Sequence, residues 1–299
     1  MFRPLVALLL AGCMASAAAE VRLLTSVKPL QLIAAAVQDG AGVPEVLLPP
    51  GASPHHYALR PSDVRALREA TLFYWIGPDL EAFLPRVLDG RRQPSLAVQE
   101  LPGLQLRHFA GETEAGKDEH DHAHRPGSLD AHLWLLPGNA RLIAARMASD
   151  LAGADPASAA RYQANLAAFE ARLDELDRRL KARLEKLAGK PYFVFHEAYD
   201  YFEAAYGLDH AGVFSVSPDV QPGARQVARM RQRLQEAGPT CVFSEPPLQP
   251  RLAQTLSAGL PVRLAELDPL GSAVAVGPQG YEQLLERLGE GLAGCLEAL

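Results

Sequence analysis

Residues 156–188, PASAARYQANLAAFEARLDELDRRLKARLEKLA, carry the strongest helical pattern in the chain. Tyr162, Leu166, Phe169, Leu173, Leu176, Leu180, Leu184 and Leu187 recur every three or four residues, so they line one face of a helix. The other face sets Asp174, Glu175 and Asp177 four residues before Arg178, Arg179 and Lys181, pairs worth a few tenths of a kcal/mol each. Pro156 suits a first turn, and Gly189 with Pro191 ends the run. At about 1.5 Å per residue this predicts a rod of roughly 45–50 Å, long enough to lie along two lobes. The same stripe would also serve a coiled-coil dimer, but two flanking lobes need it as cover.

On either side, strand-like and helix-like runs alternate, the pattern of doubly wound parallel sheets. Before the rod come VRLLTSV, PLQLIAAAVQDG, VPEVLLP, a helix SDVRALREA capped by Ser62, TLFYWIG and a helical DLEAFLPRVL. After it come YFVFHEA, AGVFSVS, ARQVARMRQRLQEAG, TCVFSEP, RLAQTLSAG, VRLAEL and YEQLLERLGEGLAGCLEAL. The expected fold is therefore α/β: two similar lobes with mostly parallel sheets, residues 20–155 and 189–299, joined by one backbone helix at 156–188. The length of 299 residues, 48% of them apolar and 21% charged, suits that division.

Four segments end an apolar run in a metal-binding side chain: His55 in GASPHHY, His132 in DAHLW, His196 in YFVFHEAY and Asp268 in AELDPLG. In open parallel sheets ligands bind beyond the carboxyl ends of strands, where His55, His196 and Asp268 fall. Singly, each has an ordinary explanation as a loop residue; together, two from each lobe, they describe a zinc site in an inter-lobe cleft. Imidazole donors weigh against a manganese carrier, since manganese prefers oxygen. Glu245 in SEPP also ends a strand and is a candidate to orient a histidine N–H. Residues 108–128 are polar and acidic and hold His120, His122 and His124, a candidate auxiliary loop for a weaker zinc. His196-Glu197 superficially opens an HExxH zinc-hydrolase motif, but Asp200 stands where its second histidine belongs. No nucleophile motif accompanies it, so the chain reads as a non-enzyme.

Met1 to Ala19 reads as a secretory leader: one Arg, the apolar run LVALLLAG and the small-residue stretch ASAAA, too short to span a bilayer. Leu10-Ala11-Gly12-Cys13 is an alternative lipid-attachment site. The net charge of −6 excludes a nucleic-acid partner. Beyond the leader the cysteines are Cys241 and Cys295, which in an oxidising compartment are expected to pair.

GASPHHY with the following RPSDV, then DAHLW, YFVFHEAYDYF, VQPGAR, CVFSEP and LDPLG together resemble, in order, the motif series of the ZnuA-like zinc-binding components of bacterial ABC importers. The resemblance covers essentially the whole mature chain. It implies a periplasmic, monomeric protein that binds Zn2+ in the cleft and delivers it to an inner-membrane permease with a cytoplasmic ATPase. It also implies that His55, His132 and His196 are ligands, with Asp268 or water in the fourth position. Some zinc-specific members carry a Glu beside the first histidine, where this chain has Pro54. A manganese- or iron-binding relative on the same fold is the alternative.

Overall fold

The computed structural model describes residues 21–109, 127–214, 223–246 and 250–299. The leader, Cys13 and the loop histidines 120, 122 and 124 lie outside the described residues. The first half contains β1 (Leu23–Thr25), α1 (Lys28–Gln38), β2 (Glu45–Val46), α2 (Pro61–Glu69), β3 (Leu72–Trp75), α3 (Pro85–Leu88), β4 (Ser95–Ala97) and α4 (Pro137–Ala154). Then comes α5 (Ala159–Leu184), followed by β5 (Tyr192–Val194), α6 (Asp200–Tyr206), β6 (Gly212–Val213), α7 (Ala224–Ala237), β7 (Thr240–Ser244), α8 (Pro250–Ser257), β8 (Val262–Glu266) and α9 (Gly280–Leu296).

Two four-stranded parallel sheets result, with orders β2-β1-β3-β4 and β6-β5-β7-β8. The central strands β1, β3 and β5 are buried along their whole length, which is why LLT, LFYW and YFV read as continuous apolar runs instead of alternating ones. Edge strand β4 went unread in the sequence because SLA is three residues long with one buried position. The run read as a helix at DLEAFLPRVL is helical only from Pro85 to Leu88. Pro85 has no N–H to donate to a preceding turn, so it starts the helix instead of lying inside it.

Two further local expectations are corrected. Ser62 does not cap α2: Arg60 is the N-cap, Pro61 takes the first turn, and the Asp63 carboxylate accepts the Arg60 backbone N–H at 2.8 Å. Along α5, Glu175 approaches Arg178 and Arg179, but Asp174 and Asp177 accept bonds from Arg141 of α4 at 2.7 and 3.0 Å. Asp177 also receives the Tyr206 hydroxyl at 2.7 Å. A neighbouring element that is itself half-buried outcompetes a solvated partner on the same helix, since exposed pairs gain little.

Helix α5 is flanked by 3-10 turns at Pro156–Ser158 and Glu185–Leu187. Its buried stripe is Tyr162, Phe169, Leu173, Leu176, Leu180 and Leu184, packed against α1, α4 and α9. Each such side chain contributes about 1.5–3 kcal/mol relative to exposure. The stripe is therefore covered within the molecule.

One continuous core includes residues of both halves, from Leu23 and Leu30 through Phe169 to Tyr281 and Leu292, with a smaller cluster around Phe193, Phe214 and Leu234. Helix α9 returns across the molecule: Leu284 packs near Gly271, and Leu32 of α1 approaches Gly280 closely enough that a side chain there would collide with it. The expected pair Cys241–Cys295 is bonded and ties α9 to β7. Among the described residues no helix is long and apolar enough to cross a membrane.

Candidate metal centre

The three histidines converge. Ring centroids of His55 and His132 lie 5.6 Å apart, those of His55 and His196 5.5 Å, and those of His132 and His196 4.8 Å. One ligand atom from each falls within 4.8 Å of the others.

His55 sits in the loop between β2 and α2. The following RPSDV segment holds that loop: Asp63 of α2 accepts the Tyr57 hydroxyl at 2.9 Å as well as the Arg60 backbone and guanidinium. Burial works against the Asp63 charge, but the bonds from Arg60 and Tyr57 outweigh it and hold the carboxyl below its usual range. Tyr57 packs edge-on against Phe83 at 5.8 Å, so the loop is fastened on both sides of α2.

His132 is buried at 2% exposure just before the 3-10 turn Leu133–Leu135. Its Nδ1 lies 2.7 Å from Asp130 Oδ1, which also accepts the His132 backbone N–H at 3.0 Å. Asp130 is itself fully buried, and the Tyr201 hydroxyl donates to its backbone carbonyl at 3.0 Å. With Asp130 accepting at Nδ1, the lone pair stands on Nε2, the tautomer a metal needs. Trp134, edge-on to His132 at 5.3 Å, donates its indole N–H to the Pro269 carbonyl at 2.9 Å, and Tyr281 donates to the Trp134 carbonyl at 2.6 Å. The His132 segment is thus anchored to the turn after β8 and to α9.

His196 follows the end of β5, and Glu245 follows the end of β7. The parallel register pairs Val194 with Phe243, so two residues further on His196 and Glu245 are neighbours beyond the carboxyl edge of the sheet. His196 Nδ1 lies 3.1 Å from Glu245 Oε1, the same carboxylate–imidazole arrangement as at His132.

The structure does not bring Asp268 into this group. Its Oδ1 accepts the Leu270 N–H at 3.1 Å and its Oδ2 the Ser272 N–H at 2.6 Å, so the carboxylate closes the DPLGS turn. A strand-end position made it a candidate, and each of its oxygens keeps a lone pair beyond the one that the turn's N–H takes. Conversely, Asp130 was missed, although an acid two residues before a loop histidine, as in DAHLW, is within reach of that histidine's Nδ1. Asp130→Asn keeps the shape but removes the charge that holds the His132 tautomer. Zinc affinity measured by chelator competition is expected to fall about 10–100-fold, and an unchanged value would assign Asp130 to loop structure alone.

A second cluster went unread. His210, which reads as part of a polar turn, is half-buried, with Nδ1 at 2.9 Å from both Glu203 oxygens. Burial lowers its basicity, but the Glu203 bond and the charges of Glu203, Asp200 and Glu197 outweigh this and raise it. Glu197 is pushed up to about 7 by burial and then by repulsion from Asp200.

Two parallel-sheet lobes spanned by a long helix, with three imidazoles from three distant segments converging, define a metal-binding protein of the solute-binding type. The chain matches, over residues 23–295, the family model described as ZnuA, zinc-uptake complex component A, periplasmic, and it belongs to that family. It is 40% identical over 305 positions to the high-affinity zinc uptake system protein ZnuA of Yersinia pestis, covering 97% of this chain and 95% of that one. To the protein of the same description in Brucella abortus it is 36% identical over 322 positions, covering 96% of each. A crystal structure of ZnuA superposes with a TM-score of 0.76 at 24% identity, over 92% of this chain and 98% of that one. The manganese-bound binding protein FpvC of Pseudomonas aeruginosa gives 0.77 at 20% identity, over 93% and 99%. These structures share the fold.

Proposed function

We propose that this protein captures zinc in the periplasm through His55, His132 and His196 and delivers it to an inner-membrane ABC permease driven by a cytoplasmic ATPase. The observation that carries this reading is the convergence of three imidazoles, two of them oriented by the carboxylates of Asp130 and Glu245. The relatives' descriptions as high-affinity zinc uptake proteins support it. Zinc accepts three nitrogen donors and an open position. The fourth place is given to Asp268 or to water, since Pro54 offers no donor beside His55.

A manganese or iron carrier is disfavoured by the donor set, because those ions seek more oxygen ligands than this triad supplies. Catalysis is disfavoured because the HExxH-like start at His196-Glu197 carries Asp200 where the second histidine belongs. The working protein is read as a monomer, lobes 20–155 and 189–299 on either side of the helix at 156–188, exported by a leader at 1–19 and cleaved after Ala19.

Calorimetric titration of the metal-stripped mature chain tests the reading. One zinc per chain is expected in the triad, undisturbed by excess manganese. Metal must displace protons from imidazoles, so affinity is expected to hold above about pH 6.5 and to weaken progressively below it. Displacement by manganese, or an affinity flat down to pH 5, would overturn the assignment.

A further inference from the structure

We propose that Glu197, Asp200 and His210 form a second divalent-cation site, separate from the three-histidine centre. One ligand atom from each of the three lies within 4.8 Å of the others, and all three side chains are half-buried.

The local fold builds this arrangement from a short stretch of chain. After β5 the segment HEAYD buries Ala198 and Tyr199, while Glu197 in the bend before α6 and Asp200 at its first position stay partly exposed and close together. Helix α6 ends at Gly207, whose φ of 71° is the left-handed conformation that glycine adopts without strain. The chain reverses there and returns His210 towards the start of α6.

Glu203, a turn further along α6, then clamps the ring. Both of its oxygens lie 2.9 Å from His210 Nδ1, and Oε1 also receives the buried Tyr192 hydroxyl of β5 at 2.6 Å. A histidine that donates through Nδ1 to a carboxylate presents the Nε2 lone pair, which is how proteins orient metal-binding imidazoles.

A purely structural role explains these residues less well. An acid in the first turn of a helix favours the helix dipole, which accounts for Asp200 alone. It does not account for Glu197, which lies outside the helix and adds a second half-buried carboxyl whose repulsion a proton, the His210 imidazolium or a bound metal ion would relieve. With one nitrogen and two oxygen donors, the site suits a divalent first-row ion such as zinc or manganese. It has fewer imidazoles than the triad, so it should hold zinc more weakly and discriminate less against manganese. Glu197 directly follows His196, so the two sites are neighbours along the chain, yet no side chain is shared.

The test uses the mature full-length chain carrying His120→Asn, His122→Asn and His124→Asn, so that the loop histidines contribute no imidazole. Equilibrium dialysis against zinc, with bound metal counted by atomic emission, is expected to show two zinc ions per chain, the second with a Kd between about 1 and 100 µM. Adding Glu197→Gln with Asp200→Asn, or His210→Gln alone, is expected to weaken the second binding step at least tenfold while the first step and the melting temperature hold. His210→Gln decides if the double variant proves unstable. A single zinc per chain up to about 1 mM, or a second step unmoved by these substitutions, would overturn the proposal. The readout is the zinc lost on substitution, so it does not depend on how tightly the triad itself binds.

Discussion

His132→Ala is expected to reduce zinc affinity by two to three orders of magnitude. Structural zinc sites bind with about 10–16 kcal/mol spread over four ligands, or roughly 2.5–4 kcal/mol per ligand, and each 1.4 kcal/mol is tenfold. The loss is concentrated at His132 because this imidazole is the most buried of the three and is fixed in place by Asp130 before any metal arrives. Competition against a chelator of known strength measures it. Because His132 packs against Trp134, the substitution also leaves a small cavity, so a melting curve without metal must accompany the titration. His55→Ala, on a less buried loop position, supplies the same test with less structural cost. Affinity within a few-fold of the parent in both variants would mean that the metal lies elsewhere.

Reduction of the Cys241–Cys295 bond is expected to lower the melting temperature by about 5–10 °C without altering zinc binding. The bond joins residues 54 apart, and closing a loop of that size restricts the unfolded chain by about 4 kcal/mol on the chain-entropy model. For a protein of this size each kcal/mol moves the midpoint by about 2 °C. Helix α9 should remain docked, because Tyr281, Leu284, Leu285, Leu288 and Leu292 are all essentially inaccessible to solvent. Cys241 lies near the start of β7 and Glu245 beyond its end, so the bond and the metal centre occupy opposite edges of the sheet. Melting with and without a phosphine reductant reads the first effect, and titration of the reduced protein reads the second. A shift under about 2 °C would show that the restriction of the unfolded chain by the bond is offset elsewhere; lost zinc binding would show that the bond holds the sheet edge in register.

Both outcomes rest on features of different legibility. The parallel sheets, the long helix and the three histidines could be read from the chain because each leaves a local mark. Buried strands give unbroken apolar runs, a covered helix gives a stripe every three or four residues, and a binding residue beyond a strand end interrupts an apolar run. The cysteine pair followed from the leader and the count. The short edge strand at Ser95–Ala97 and the partial helix at Pro85–Leu88 left no such mark, being only three and four residues long.

What the sequence by itself determined is therefore the class of fold, the family and the three imidazoles, since these depend on periodicity and on motif order. The tertiary structure decided which carboxylates serve them, giving a partner to Glu245, which its strand-end position had already suggested, and adding Asp130. Asp130 and Glu245 reach His132 and His196, Asp268 turns to its own backbone, Asp174 and Asp177 cross to Arg141, and Glu203 captures His210. A carboxylate's partner is set by strand register and by competition among nearby donors within about 3 Å, so spacing such as Asp130 to His132 can offer a partner but does not choose it.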